Sequence, residues 1–103
     1  MDDSIADLNN DVRLAVDTGK VQFGHREVLR AINSSSAKAV VIAEKGKKQI
    51  NEDLYHTCKV AGIRVIAFKG SSMELGTVCG RPYSVNSMAI MDAGNSNILN
   101  EEY

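Results

Sequence analysis

Gly24-His25-Arg26-Glu27-Val28-Leu29-Arg30 follows the short apolar run Val21-Gln22-Phe23. A glycine at a strand end lets the backbone turn sharply, and the residues behind it can open a helix. Such a helix start would bring free amides, an imidazole and two guanidinium groups together. This is a group suited to phosphate, because helix N-termini and arginines both favour anions. Arg26 and Arg30 lie one helical turn apart and can reach adjacent phosphates or a guanine edge. Glu27 can accept a hydrogen bond from a base amino group, or act as a first-turn acid that stabilises the helix. The same stretch is also compatible with an ordinary strand-to-helix junction whose polar residues face water.

A second candidate is the connection Gly80-Arg81-Pro82-Tyr83-Ser84-Val85-Asn86-Ser87, which combines a guanidinium, a phenol, an amide and hydroxyls. Val85 is unusual in so polar a loop. It can be a core residue at the start of a strand, or an apolar contact for an unstacked base of the kind that RNA loops expose. The charged turn containing Lys45, Lys47 and Lys48 ranks third, as diffuse counter-charge.

Other reactive residues lack a catalytic context. Asp53 and His56, or Glu52 and His56, share a helix face but have no third metal ligand at a telling distance, so surface pairing is expected. The serines Ser34, Ser35, Ser36, Ser71 and Ser72 lack the Gly-x-Ser-x-Gly setting of a strained nucleophile. Gly70, Gly76 and Gly80 form neither a phosphate loop nor a dinucleotide fingerprint. No enzyme, metal or cofactor is expected. Cys58 and Cys79 sit in apolar stretches and read as buried thiols of a reducing compartment.

Charge is divided unevenly along the chain. Residues 1–19 carry five aspartates against Arg13, a net of −4, whereas residues 20–48 carry seven lysines and arginines against Glu27 and Glu44, a net of +5. The formal total of −1 weakens a polyanion-binding reading without excluding it, because binding follows local charge. At 103 residues the chain fits one domain, 1–103, and no segment has the length of a signal peptide or membrane span. A soluble intracellular protein, monomeric when isolated, is expected.

The elements that must position these groups alternate. Ile5, Leu8, Val12 and Ala15 recur at helical spacing up to Gly19, and Lys20 to Phe23 is a short strand. A helix through Val28, Leu29 and Ile32 ends in Asn33-Ser34-Ser35-Ser36. Ala39-Val40-Val41-Ile42-Ala43 lacks polar alternation and suits a strand buried on both faces. Glu44 to Lys48 is a charged turn. Ile50, Leu54, Cys58 and Ala61 mark a helix closed by Gly62, and Ile63 to Phe68 is a strand. Ser71-Ser72-Met73-Glu74 has capping-box form, placing Leu75 and Val78 on the buried face of a short helix. Pro82 disfavours helical geometry at Arg81. Met88 to Met91 is a last strand, followed by a turn at Asp92-Ala93-Gly94 and one helical turn through Ile98. One sheet covered by helices on both sides accounts for this α/β order.

With these elements laid out, the chain closely resembles the kink-turn RNA-binding family of ribosomal proteins, in its archaeal and eukaryotic large-subunit branch. The likeness runs from about Val12 to Ile98. Its marks are Asp17-Thr18-Gly19-Lys20-Val21, the Gly24 turn, Ala37 to Ala43, Ala61-Gly62-Ile63, and above all Met73-Glu74-Leu75-Gly76-Thr77-Val78-Cys79-Gly80-Arg81-Pro82 followed by Ser87 and Asp92-Ala93-Gly94. The resemblance implies a three-layer αβα sandwich with a central mixed four-stranded sheet. It also implies a structural role, binding a kink-turn or kink-turn-like loop of large-subunit ribosomal RNA beside neighbouring ribosomal proteins. Gly24, His25, Arg26, Glu27 and Arg30 match the family's first RNA-contacting element, and Arg81, Pro82, Tyr83, Ser84 and Val85 match the second. The threonine or lysine often found at the position of His25 is absent. A kink-turn protein of another ribonucleoprotein, and a protein-interaction domain that has lost RNA binding, are the rival readings.

Overall fold

Ala39–Ala43 is apolar on both faces, and it becomes strand β2, every residue of which is buried. The computed structural model describes residues 3–100 and orders them as α1 (Asp3–Thr18), β1 (Lys20–Phe23), α2 (His25–Asn33), β2, α3 (Lys48–Ala61), β3 (Arg64–Phe68), α4 (Ser72–Val78) and β4 (Ser87–Asp92). The strands form one mixed sheet in the order β1-β4-β2-β3. Strand β4 is antiparallel to both its neighbours, whereas β2 and β3 are parallel, as two strands joined by a crossover helix must be.

The period-two alternation of strand side chains divides the core into two layers. Ala39, Val41 and Ala43 of β2, with Met88 and Ile90 of β4, pack against Leu8, Val12 and Ala15 of α1 and Leu75 of α4. Val40 and Ile42, with Ala89, face the other way, toward Val28, Ala31 and Ile32 of α2 and Leu54 and Cys58 of α3. The chain is therefore the expected αβα sandwich. Fully burying one side chain the size of Ile42 or Leu54 contributes about 2 kcal/mol, so each layer depends on several such residues acting together.

Local signals account for most element ends. Gly62, in the left-handed region at φ 72°, closes α3. The Ser71 hydroxyl accepts the Glu74 amide at 3.1 Å and caps α4. Lys48, expected in the charged turn, is instead the first residue of α3, and β3 begins at Arg64 rather than Ile63. The Ile63 amide is taken up by the Cys58 carbonyl at 2.9 Å as part of the helix end. Ile5 lies within α1, but its side chain is outside the described set. After β4 the chain makes tight turns in place of the expected helical turn. These are pinned to α1 by hydrogen bonds from the Ser96 hydroxyl to the Asp11 carbonyl (2.6 Å) and from the Asn95 amide to the Thr18 hydroxyl (2.9 Å).

Candidate nucleic-acid interface

The sheet topology brings the candidate segments to one edge. Strands β1, β2 and β3 run the same way and β4 runs against them. The register places Phe23 opposite Met88, Ile42 opposite Ser87 and Ala43 beside Phe68. The turn at Gly24, the lysine turn after Ala43 and the connection entering Ser87 therefore leave the sheet at the same end. Loops at one end of such a sheet form a common surface.

The first segment is built around Gly24, which has φ 96° and ψ 150°, a region essentially restricted to glycine. Its carbonyl accepts the Val28 amide at 2.9 Å, the first bond of α2, and its amide reaches the Ser87 carbonyl at 3.4 Å. No side chain caps α2, and the space beyond the Gly24 α-carbon is open. The amides of the first turn thus remain available at a helix end that favours anions. His25, Arg26 and Arg30 are exposed and Glu27 is half-buried. Glu27 pairs with Arg30 at 3.5 Å, so the first-turn acid also steadies the guanidinium one turn on. With the Arg30 side chain 71% and the Glu27 side chain 41% exposed, this pair contributes well under ~1 kcal/mol and yields easily to a better anion.

The second segment is held far more firmly. The Arg81 amide donates to the Gly76 carbonyl at 2.9 Å, and the Val85 amide donates to the Ser72 carbonyl at 2.9 Å. A β-carbon on buried Gly76 would overlap the Tyr83 carbonyl oxygen, so a glycine is what lets this loop lie flat on α4. Arg81, Pro82, Tyr83 and Ser84 are exposed, and the Arg81 guanidinium stacks over the Phe23 ring at 5.0 Å from its centroid. That contact joins the second segment to the end of β1, one residue before Gly24. Val85 is different: only 3% exposed, it packs in the core with Leu75, Cys79 and Met88. Of the two roles open to it in the sequence, packing is the one its position supplies.

Lys45 and Lys47, on the turn beside this loop, and Lys48, at the start of α3, are exposed. Asn86, which nothing in the sequence distinguishes from the other polar residues of its loop, connects the two. Its side-chain oxygen accepts the Lys47 amide at 3.1 Å, and its side-chain nitrogen donates to the Asn51 side-chain oxygen at 2.9 Å. Phe23 likewise carries no signal in the sequence beyond that of a strand residue. Each partnership spans a long sequence separation, so no local spacing marks it.

The remaining reactive groups stand apart. Asp53 receives a hydrogen bond from the Gln49 side chain at 3.4 Å, while His56 is exposed, so the expected surface pairing is replaced by an i,i+4 amide contact. Cys58 and Cys79 are buried free thiols. Burial raises both pKa values, and Cys79 is pushed up to about 11 although Arg81 and Arg13 pull it down. Thiols held in the protonated state are poor nucleophiles. Among the described residues no cluster of histidine, cysteine, aspartate or glutamate could hold a metal ion, and no helix is long and apolar enough to cross a membrane.

Comparison with known proteins places the chain among relatives. The chain is 38% identical over 93 residues to the large ribosomal subunit protein eL30 of Methanosphaera stadtmanae, covering 90% of this chain and 95% of that one. It is 39% identical over 93 residues to the eL30 protein of Methanocaldococcus jannaschii, covering 90% and 84%. Among solved structures, a Bacillus halodurans protein of unknown function superposes with a TM-score of 0.77 at 21% identity, covering 88% of this chain and 90% of that one, and so shares the fold. The model of the ribosomal protein L7Ae/L30e/S12e/Gadd45 family matches residues 6–100, and the chain belongs to that family.

Proposed function

We propose that this chain is a structural component of an archaeal large ribosomal subunit that holds a sharply bent, kink-turn-like internal loop of ribosomal RNA and catalyses nothing. The observation that carries the reading is the meeting, on one sheet edge, of an uncapped arginine-bearing helix start and a rigid loop bearing Arg81. A regular A-form duplex presents a deep, narrow major groove, whereas a kinked loop offers closely spaced phosphates and unstacked bases. Gly24 allows close backbone approach and the first-turn amides meet phosphate. Arg26, Arg30 and Arg81 supply charge and planar hydrogen bonding. His25, Tyr83 and Ser84 line the same surface, and Pro82 and Val85 hold the shape of the loop. The two archaeal relatives are named as large-subunit proteins, which supports the ribosomal assignment and implies neighbouring ribosomal proteins as further partners.

Binding to a kinked internal-loop RNA and to a duplex of equal length tests the reading. The kinked RNA is expected to bind at least about tenfold tighter, a difference of about 1.4 kcal/mol. Equal affinities would refute shape recognition. Crosslinking in lysate tests the assembly: attachment to ribosomal RNA in large-subunit particles is expected. Attachment to small guide RNAs in lighter particles would instead assign the chain to another ribonucleoprotein.

A further inference from the structure

The lysine turn and the 81–86 loop come from different strands and are anchored separately, the loop on α4 and the turn through the Lys45 amide, which donates to the Gly70 carbonyl at 3.0 Å. Asn86 ties the two to each other. Its backbone carbonyl accepts the Ala43 amide at 2.9 Å, and its side-chain oxygen accepts the Lys47 amide at 3.1 Å. Its side-chain nitrogen donates to Asn51, whose own side-chain amide donates to the Ala43 carbonyl at 2.9 Å. Asn51 is only 5% exposed, so water cannot readily replace Asn86 as its partner. Lys47 occupies the N-cap of α3 but makes no side-chain cap, and the Asn86 amide oxygen satisfies its backbone N–H from across the sheet end. Space for this arrangement comes from Gly46, where a β-carbon would collide with the Asn86 side-chain oxygen.

We propose that Asn86 is a positioning residue for RNA: it fixes Lys45, Lys47 and Lys48 at a set distance from Arg81 and Ser84, so that the lysine turn becomes a third rigid part of the binding surface. The inference rests on the RNA-binding reading above and extends it. Without the latch the lysines still carry charge, but their distance from Arg81 and Ser84 is no longer fixed. Their contribution then falls because each must be ordered when RNA binds.

The test is a set of salt titrations of the full chain against a kinked internal-loop RNA. The variants are Asn86→Ala, the triple change of Lys45, Lys47 and Lys48 to Gln, their combination, and Gly46→Ala. In the parent, the triple change is expected to lower the salt slope by about two units, at roughly 0.7 to 0.9 units for each phosphate no longer neutralised. Asn86→Ala is expected to weaken binding about fivefold and lower the slope by about one unit. In the Asn86→Ala background the triple change should have only about half of its parental effect on the slope. Gly46→Ala should evict the amide and weaken binding similarly, and adding it to Asn86→Ala should cost nothing more. A purely structural role would lower the melting temperature of Asn86→Ala while leaving its salt slope and the full lysine effect intact, and that result overturns the proposal. Should Asn86→Ala fail to fold, Asn86→Ser and Gly46→Ala carry the same comparison. A parent chain that does not prefer the kinked RNA refutes the binding reading itself, an outcome separate from full additivity of the lysine and Asn86 effects.

Discussion

The two main segments of the candidate surface are built in opposite ways. At the start of α2, the side chains that face outward serve little in the fold: Arg26 is exposed, the Glu27–Arg30 pair is weak, and nothing lies within 4 Å of a β-carbon on Gly24. The constraint there is conformational and sits in one residue. In the 81–86 loop the constraint is packing. Gly76 yields room to the Tyr83 carbonyl, Val85 enters the core, and the Arg81 guanidinium rests on Phe23. A surface assembled from one adaptable and one rigid part can fix the position of a ligand with the second and close on it with the first. Substitutions should therefore separate into those that damage the fold and those that damage only binding.

The largest effect is expected at the rigid segment. Gly76→Ala places a methyl group on the Tyr83 carbonyl oxygen, against backbone that cannot swing aside, and should destabilise the chain by about 3 kcal/mol in urea unfolding. A neutral result would remove the packing half of the comparison. Val85→Ala should cost about 2 kcal/mol through reduced burial and the cavity left behind. At the adaptable segment, Gly24→Ala meets no atom but strains the backbone, for about 1.5 kcal/mol, while its loss of RNA affinity exceeds that of either rigid-segment variant still folded.

The next effect is a dependence on pH beside the rigid loop. Burial raises the Cys79 pKa from 9.0 to about 11, so the native chain keeps a proton that the unfolded chain releases. The associated stability is complete below pH 9 and is lost as pH rises toward about 11. At about pH 10 the loss amounts to about 1 kcal/mol. Unfolding measured at about pH 8 and about pH 10 should show a smaller decrease for Cys79→Ala than for the parent, and equal decreases would contradict the buried-thiol account. Smallest in stability is Arg26→Ala, expected within about 0.5 kcal/mol of the parent. Its effect is on binding, where it should lower the salt slope by about one unit. An unchanged slope would mean that this segment is an ordinary helix junction.

The same contrast explains which parts of the molecule are legible in the sequence alone. The adaptable segment is legible because glycine, arginine and a helix start are neighbours in sequence, and each carries a local signal. The helices, the doubly buried β2 and the Ser71 cap are legible for the same reason. The rigid segment is only partly so. Its residues stand out, but Val85 stays divided between core and surface because one apolar residue in a polar loop has no periodicity to assign it. Gly76 against Tyr83, Arg81 over Phe23 and Asn86 with Asn51 are pairings between elements, and their chemistry is visible only once the strand order brings them together. That order is itself hidden, since hydrophobic patterning does not specify which strands are neighbours.

The placement of β4 between β1 and β2 has a consequence for how the molecule comes into being. Strand β1 is made early but pairs only with β4, the last strand of the sheet. Strands β2 and β3, with α3 between them, can pair as soon as residues 39–68 have been synthesised. The α1–β1 portion has no sheet to join until residues 87–92 arrive. During synthesis the exposed edge of β2 is a strand awaiting its neighbour, a form open to wrong pairing with other chains. Strand β4 fits between the edges of β1 and β2. It completes the sheet and in the same movement brings Gly24 beside Ser87, so the candidate binding edge comes into existence only when the fold does.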